Sequence, residues 1–259
     1  MQHGRGPGEA NLAAGGLLLP LRAAYAVYAG SVFLALALCA LVALLLAPTL
    51  VLRRRITRAT GQLALALMGM RVSVQWLGTL PDPCIVVANH DSYLDGVVLA
   101  AVLPPRFAFV IKREMSSVPL AGLLLTRIGS HFVERGDARA SARDALRVMR
   151  SARAGSSLAF FPEGTFRPEP GLLRFHTGAF AAAERAGAPI VPLVIRGTRR
   201  CLAPQTLLPR PGLIDVQVLA PLWPPPGHAD GAAALRDAAR AAILAVLGEA
   251  DLQEREPRA

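Results

Sequence analysis

Among its 28 basic residues the 259-residue chain has one lysine, Lys112, so its net charge of +10 is almost wholly arginine. Arginine suits bidentate phosphate contact, though a GC-rich genome produces the same bias. Aromatics make up only 5%, and no basic stretch is interleaved with them, which removes nucleic acid as a partner. Three cysteines, Cys39, Cys84 and Cys201, stand far apart in apolar surroundings. That spacing excludes a disulfide framework and a paired metal-ligand motif, and fits a reducing compartment. No Gly-x-Ser-x-Gly elbow is present, so a serine hydrolase of the α/β-hydrolase type is excluded. Disorder is excluded too, because hydrophobic residues reach 53% with a mean hydropathy of +0.41, which points to lipid contact over part of the chain.

The longest apolar run supplies that contact. From Ala23 to Leu52 thirty residues carry no charge, where about 20 suffice to span a bilayer. Arg53, Arg54, Arg55 and Arg58 follow the run against Arg5 and Arg22 before it. The positive-inside rule then sets the remainder in the cytoplasm, on an inner membrane. Pro48 interrupts the run, and Ile56 to Met70 is a second, shorter apolar stretch. A spanning helix and a helical hairpin lying in one leaflet both fit. Residues 1–22, polar and Gly-rich at the start, read as a disordered tail and 23–71 as the membrane-anchoring segment.

After Val72 short β-rich runs ("CIVVAN", "RFAFVI", "SHFVE", "SLAFF", "IVPLVI", "IDVQVL") alternate with Ala/Leu-rich helical patterns at Ser92–Val102, Pro119–Ile128, Ala138–Arg153, Thr177–Ala186 and Ala232–Leu247. This predicts an α/β domain over 72–226 with a mixed, mostly parallel sheet flanked by helices, then a C-terminal helix and tail over 227–259. Pro192 lies inside "IVPLVI" and predicts an edge position or a bulge there.

In "VVANHDSYLDGVVLAAVL" a strand ends, His90 occupies the turn, and Ser92 with Asp95 forms a Ser-x-x-Asp capping pattern. Asp95 can satisfy backbone N–H groups at the helix start. The same geometry lets it hold one imidazole nitrogen of His90 while the other takes a proton from a hydroxyl. "FFPEGTFRPEPGLLRFH" places Glu163, Gly164 and Thr165 in a tight loop at a strand's carboxyl end, with Arg167, Arg174 and His176 close behind. Arg135, directly after the strand that Gly129 precedes, can clamp a phosphate or sit in solvent beside Glu134 or Asp137.

Four blocks in this order resemble the glycerolipid acyltransferase family typified by 1-acylglycerol-3-phosphate acyltransferase: Asn89, His90 and Asp95; Gly129 to Arg135; Phe161 to Thr165; and Val191 with Pro192. The resemblance implies that His90 is the general base and Asp95 its orienter. It implies Arg135, Glu163, Gly164, Thr165 and Arg167 as substrate-binding groups. The implied reaction moves an acyl group from acyl-CoA or acyl carrier protein, as co-substrate, to a lysophospholipid hydroxyl, with no metal or bound cofactor. The acceptor that fits best is 1-acyl-sn-glycerol 3-phosphate. Departures stand at Phe166, which separates Thr165 from Arg167, at His176, where lysine is common, and at Glu134 in place of aspartate. They leave a lyso-ornithine lipid, glycerol 3-phosphate, a thioesterase reaction and an inactive lipid-binding protein as alternatives. An apolar groove is expected to run from His90 along helix Ser92–Val102 towards the membrane.

Overall fold

The computed structural model describes residues 7–77, 80–134, 137–206, 208–225 and 230–253. Helix α1 (Pro7–Leu46) is joined through Ala47–Thr49 to α2 (Leu50–Leu67). Thr49 caps α2 by accepting from Leu52 N at 3.3 Å, and Pro48, which cannot continue a helix from its missing N–H, sets the break where the sequence placed it. The expected tail is corrected over 7–22. Pro7 stands in the first turn, where proline is tolerated, and the Ala/Leu-rich sequence carries the helix on past Pro20 in its interior. Residues 1–6 lie outside the described residues.

The two helices run antiparallel: Tyr25 and Tyr28 of α1 donate to Met68 O and Leu67 O at the far end of α2. At the other end of α1, Arg127 donates to Leu45 O at 3.2 Å. The stretch of α1 from Tyr25 to Leu45 is therefore fastened at both its limits to later parts of the chain.

Strands β1 (Met70–Trp76), β2 (Ile85–Ala88), β3 (Ala108–Lys112), β4 (His131–Val133), β5 (Leu158–Phe160), β6 (Ile190–Arg196) and β7 (Gly212–Val218) form one sheet in the order β1-β7-β6-β2-β5-β3-β4. Every pairing is parallel except β6 with β7. Between the strands come α3 (Leu94–Val102), a 3₁₀ turn at Arg113–Ser117, α4 (Ala121–Arg127), α5 (Ala138–Arg153), α6 (Gly178–Ala186) and short α7 (Thr198–Cys201), with α8 (Gly231–Leu247) last. The alternation read from the sequence holds; β1 is an element it did not mark.

Alternate residues of each strand serve two cores. Val86, Ala88, Val191, Leu193 and Ile195 join Ala29 of α1, Ala64 and Leu65 of α2 and Val98 of α3. Ile85, Val87, Ile190 and Val194 join Val148 of α5, Phe180 of α6 and Ile243 of α8 on the opposite face.

Pro192 is not at an edge, since β6 lies between β7 and β2. Its backbone N, which has no proton to donate, falls where the register against the returning chain shifts. Ile190 bridges Leu222, whereas Leu193 pairs with Val218, so one more residue is spent on the β7 side. Pro192 O still accepts from Leu219 N at 2.9 Å. The bulge alternative is the one realised.

Candidate active site

Strand β2 ends in the middle of the sheet, and the turn after it is held by buried polar groups. Asn89 reaches across to β6, donating to Ile195 O and accepting from Ile195 N, both at 2.8 Å. This pins the end of β2 before the chain turns at His90.

Asp95, fully buried in the first turn of α3, directs one carboxylate oxygen, Oδ2, at three donors: Asp91 N at 2.6 Å, Ser92 N at 2.8 Å and His90 Nδ1 at 2.9 Å. The capping role and the histidine-holding role are thus one arrangement. α3 begins two residues later than expected, with Ser92 Oγ accepting from Leu94 N and donating to Leu202 O. With Nδ1 engaged by a carboxylate, the basic lone pair of the neutral imidazole is at Nε2.

The ring of His90 lies between two aromatics. Phe161 stacks on it with centroids 4.2 Å apart, and Phe166 meets it edge-on at 4.6 Å and also packs on Tyr93. Phe166, the residue that departs from the family pattern, is therefore part of the histidine's wall.

Glu163 is buried beneath the loop and does not line the cavity beside His90. Its Oε1 accepts from His90 N at 2.7 Å and its Oε2 from Leu173 N at 2.8 Å. Burial outweighs both hydrogen bonds and pushes its carboxyl up to about 8. In this fold Glu163 ties the "FPEGT" loop to the histidine turn. Gly164 takes up φ +74°, open to glycine without strain, and Gly164 and Thr165 face the cavity with His90. Arg167 is exposed and outside the cavity lining; Arg135 lies outside the described residues.

The cavity, about 520 Å³, is lined by His90 and Tyr93 and by Gly96, Val97 and Ala100 of α3. Thr60, Gly61 and Ala64 of α2, and Phe33, Leu36, Ala40 and Leu44 of α1, also line it, as does Lys112. The groove expected along Ser92–Val102 is there, and the N-terminal hairpin is half of it.

One cluster escaped the sequence reading. Arg199, just after β6, donates to Asp91 Oδ1 at 2.5 Å and to Pro168 O, and lies 3.6 Å from Glu249. It joins the histidine turn, the loop after "FPEGT" and the chain beyond α8. Burial lifts the Asp91 carboxyl to about 6 against the pull of Arg199. The only sign in the sequence was a run of arginines closing an apolar strand, more than a hundred residues from Asp91.

Fold and site together are a mostly parallel sheet with a His–Asp pair at its carboxyl edge, beside an apolar groove. The Acyltransferase family model matches residues 71–196, and the chain belongs to the glycerolipid acyltransferase family. It is 33% identical over 135 residues to a chloroplastic 1-acyl-sn-glycerol-3-phosphate acyltransferase of Brassica napus, covering 51% of this chain and 39% of that protein. To the alpha form of the same enzyme in Mus musculus it is 31% identical over 189 residues, covering 71% and 66%. The chain thus spans between two fifths and two thirds of these relatives' length. The crystal structure of the 1-acyl-sn-glycerophosphate acyltransferase PlsC from Thermotoga maritima superposes with a TM-score of 0.71 at 20% identity, covering 88% of this chain and 94% of that one, a likeness of fold.

Proposed function

We propose that the protein is an O-acyltransferase that moves an acyl group from a thioester to the free hydroxyl of 1-acyl-sn-glycerol 3-phosphate, giving phosphatidic acid. The observation that carries this is the His90–Asp95 pair, 2.9 Å apart, whose histidine lines an apolar cavity. His90 Nε2 takes the hydroxyl proton as the acceptor oxygen attacks the thioester carbonyl. Asp95 stabilises the imidazolium, which returns the proton to the departing thiolate as the C–S bond breaks. Such general-base help is worth about 10²–10⁴-fold. The acyl chain occupies the groove between α1, α2 and α3, with no metal or bound cofactor in the reaction. Arg135 and Arg167 are the cations proposed for the acceptor phosphate.

The same reading gives the hairpin its place. Between Pro20 and Leu46, α1 is long and apolar enough to cross a membrane, and within that stretch only Ala29, Ala37, Ala40 and Leu44 are buried in the protein. Val27, Leu34, Leu38, Val42 and Leu46 are exposed on it. Since α1 is fastened at Tyr25, Tyr28 and Leu45, that part of it lies along the catalytic domain, which favours insertion into one leaflet over a crossing. Acceptor and acyl chain then reach His90 from the bilayer, on the cytoplasmic face of an inner membrane.

The test is transfer from palmitoyl-CoA to 1-acyl-sn-glycerol 3-phosphate by the purified full chain in detergent, beside His90→Ala. Product formation that drops at least about 10²-fold in the variant supports the reading. Equal rates sink it, and thioester loss without lipid product makes the protein a hydrolase instead.

A further inference from the structure

Helix α5 carries arginines at 139, 143, 147, 150 and 153. At 100° per residue these fall in a wedge of about 120°, and all five are exposed. The buried side of the helix, Val148 and Ala152 with Asp144, points the other way into the sheet. Asp144 is occupied: it takes Arg113 from the segment after β3 and Glu134 N, and reaches Arg147 at 3.3 Å. Among the described residues Arg139, Arg143 and Arg150 have no ion pair. Successive arginines stand three or four residues apart, the spacing at which like charges on a helix repel. Within the described fold Asp144 offsets that repulsion at Arg147 alone. Leu146, 48% exposed, lies midway along the helix and inside the same wedge, between Arg153 and Arg139 in projection.

An exposed leucine ringed by cations is the composition of a protein-binding surface, an apolar centre with a charged rim. It is too long for a nucleotide, since Arg139 to Arg153 covers about 21 Å of helix. A bilayer fits it badly, because α1 and α2 pack against the other face of the sheet from α5. The surface leads to the groove by a short path. Lys112 of the cavity lining is followed by Arg113, whose guanidinium is held by Asp144 of α5.

We propose that this face of α5 is the docking surface for an acidic carrier protein that presents the acyl group as a thioester on a flexible arm. The inference deepens the donor half of the function proposed above and rests on it. Arginines 139, 143 and 150 steer and hold the acidic helix of the carrier, Leu146 seats in its apolar centre, and the arm enters past Lys112 to His90.

The experiment uses the full chain in detergent with two donors, palmitoyl-acyl carrier protein and palmitoyl-CoA, and 1-acyl-sn-glycerol 3-phosphate. Wild type is set beside Arg139→Glu/Arg143→Glu/Arg150→Glu and beside Leu146→Ser, all exposed positions, with melting temperatures confirming the fold. Binding of unacylated acyl carrier protein is followed by fluorescence anisotropy. The expected result is a KM for the carrier-borne donor raised about tenfold or more in the triple variant, with the CoA donor changed less than about twofold, and carrier binding weakened in parallel and by salt. Equal effects on both donors, or no carrier binding by wild type, overturn the docking surface while leaving acyl transfer intact. Binding to phosphatidylglycerol vesicles that the triple variant loses, with carrier binding unchanged, overturns it in favour of a membrane contact. Carrier binding through α5 without transfer from either donor keeps the surface and refutes the acyltransferase reading.

Discussion

Replacing Asp95 by asparagine separates the two roles that one oxygen performs. Oδ2 accepts from two backbone N–H groups and from His90 Nδ1, while Oδ1 is buried without a partner among the described residues. An asparagine has one way to fit: its oxygen must take the place of Oδ2, because an amide NH₂ there would face three donors. The NH₂ then occupies the unpartnered position, one unpaired buried atom for another. The cap survives, and so does the imidazole tautomer. What is lost is the negative charge beside a forming imidazolium. Two unit charges about 4 Å apart attract by about 4 kcal/mol at an effective dielectric constant of about 20. A neutral hydrogen bond returns about 1 kcal/mol of that. The remaining 3 kcal/mol or so corresponds to a kcat lower by about 10²–10³-fold, with KM little changed. Asp95→Ala strands two buried backbone donors at about 1–3 kcal/mol each, with the half-buried His90 Nδ1 besides, and loses the fold as well as the activity. The assay follows thiol release from palmitoyl-CoA with added 1-acyl-sn-glycerol 3-phosphate, alongside thermal melting. An Asp95→Asn protein within about threefold of wild-type kcat, or one that melts as low as Asp95→Ala, refutes this account of the charge.

Two further outcomes concern the loop and the groove. Glu163, held up to about 8 by burial, keeps its proton in the folded chain where the unfolded chain has released it, so its contribution is full in acid and is lost as pH rises through 8. Asp91, raised to about 6, acts in the same direction lower down, which leaves pH 6–8 to Glu163. In that window Glu163→Gln flattens the fall of stability with pH, by at most about 1.4 kcal/mol per pH unit; denaturant melts of both proteins with parallel slopes count against it. Gly96 lines the cavity, and a Cβ added there meets nothing within 4 Å. Gly96→Leu therefore fills groove volume without disturbing α3, and excluding about two methylenes of the acyl chain lowers kcat/KM for long donors about tenfold relative to short ones. Unchanged selectivity across a series of acyl-CoA lengths places the chain elsewhere.

Local signals served the site well where the chain doubles back on itself within a few residues. His90 and Asp95 are five apart, one at a strand end and one in a first helical turn, so their meeting follows from helix geometry alone. The chemistry of Glu163 did not follow in that way. A carboxylate beside glycine in a loop reads as a ligand for substrate, whereas the fold turns it inward onto the backbone of residue 90, seventy-three residues away in the chain. Arg199 shows the same limit: its partners Asp91 and Glu249 come from β2's turn and from beyond α8, a convergence that depends on β6 lying beside β2 in the sheet.

The arginines after the apolar segment carry the largest change of meaning. Counted along the sequence, they are a positive-inside signal for the cytoplasm. In the fold, Arg54 donates to Ile128 O and Arg106 O at 2.9 Å each, and Arg58 to Ala101 O at 3.2 Å. Arg53 holds Ala47 O at the hairpin bend. These guanidiniums bind carbonyls at the ends of α3 and α4 and so bolt α2 onto the catalytic domain. The attachment costs Arg54 some solvation, and its pKa is lowered for that reason. A lipid anchor joined by a loose linker would need no such contacts. They are required if the hairpin is one wall of the acyl groove, because a wall that drifts by an ångström or two no longer excludes water from the chain it holds. Membrane attachment and substrate binding are then properties of the same two helices, and a change that loosens α2 from α3 is felt at His90 as well as at the bilayer.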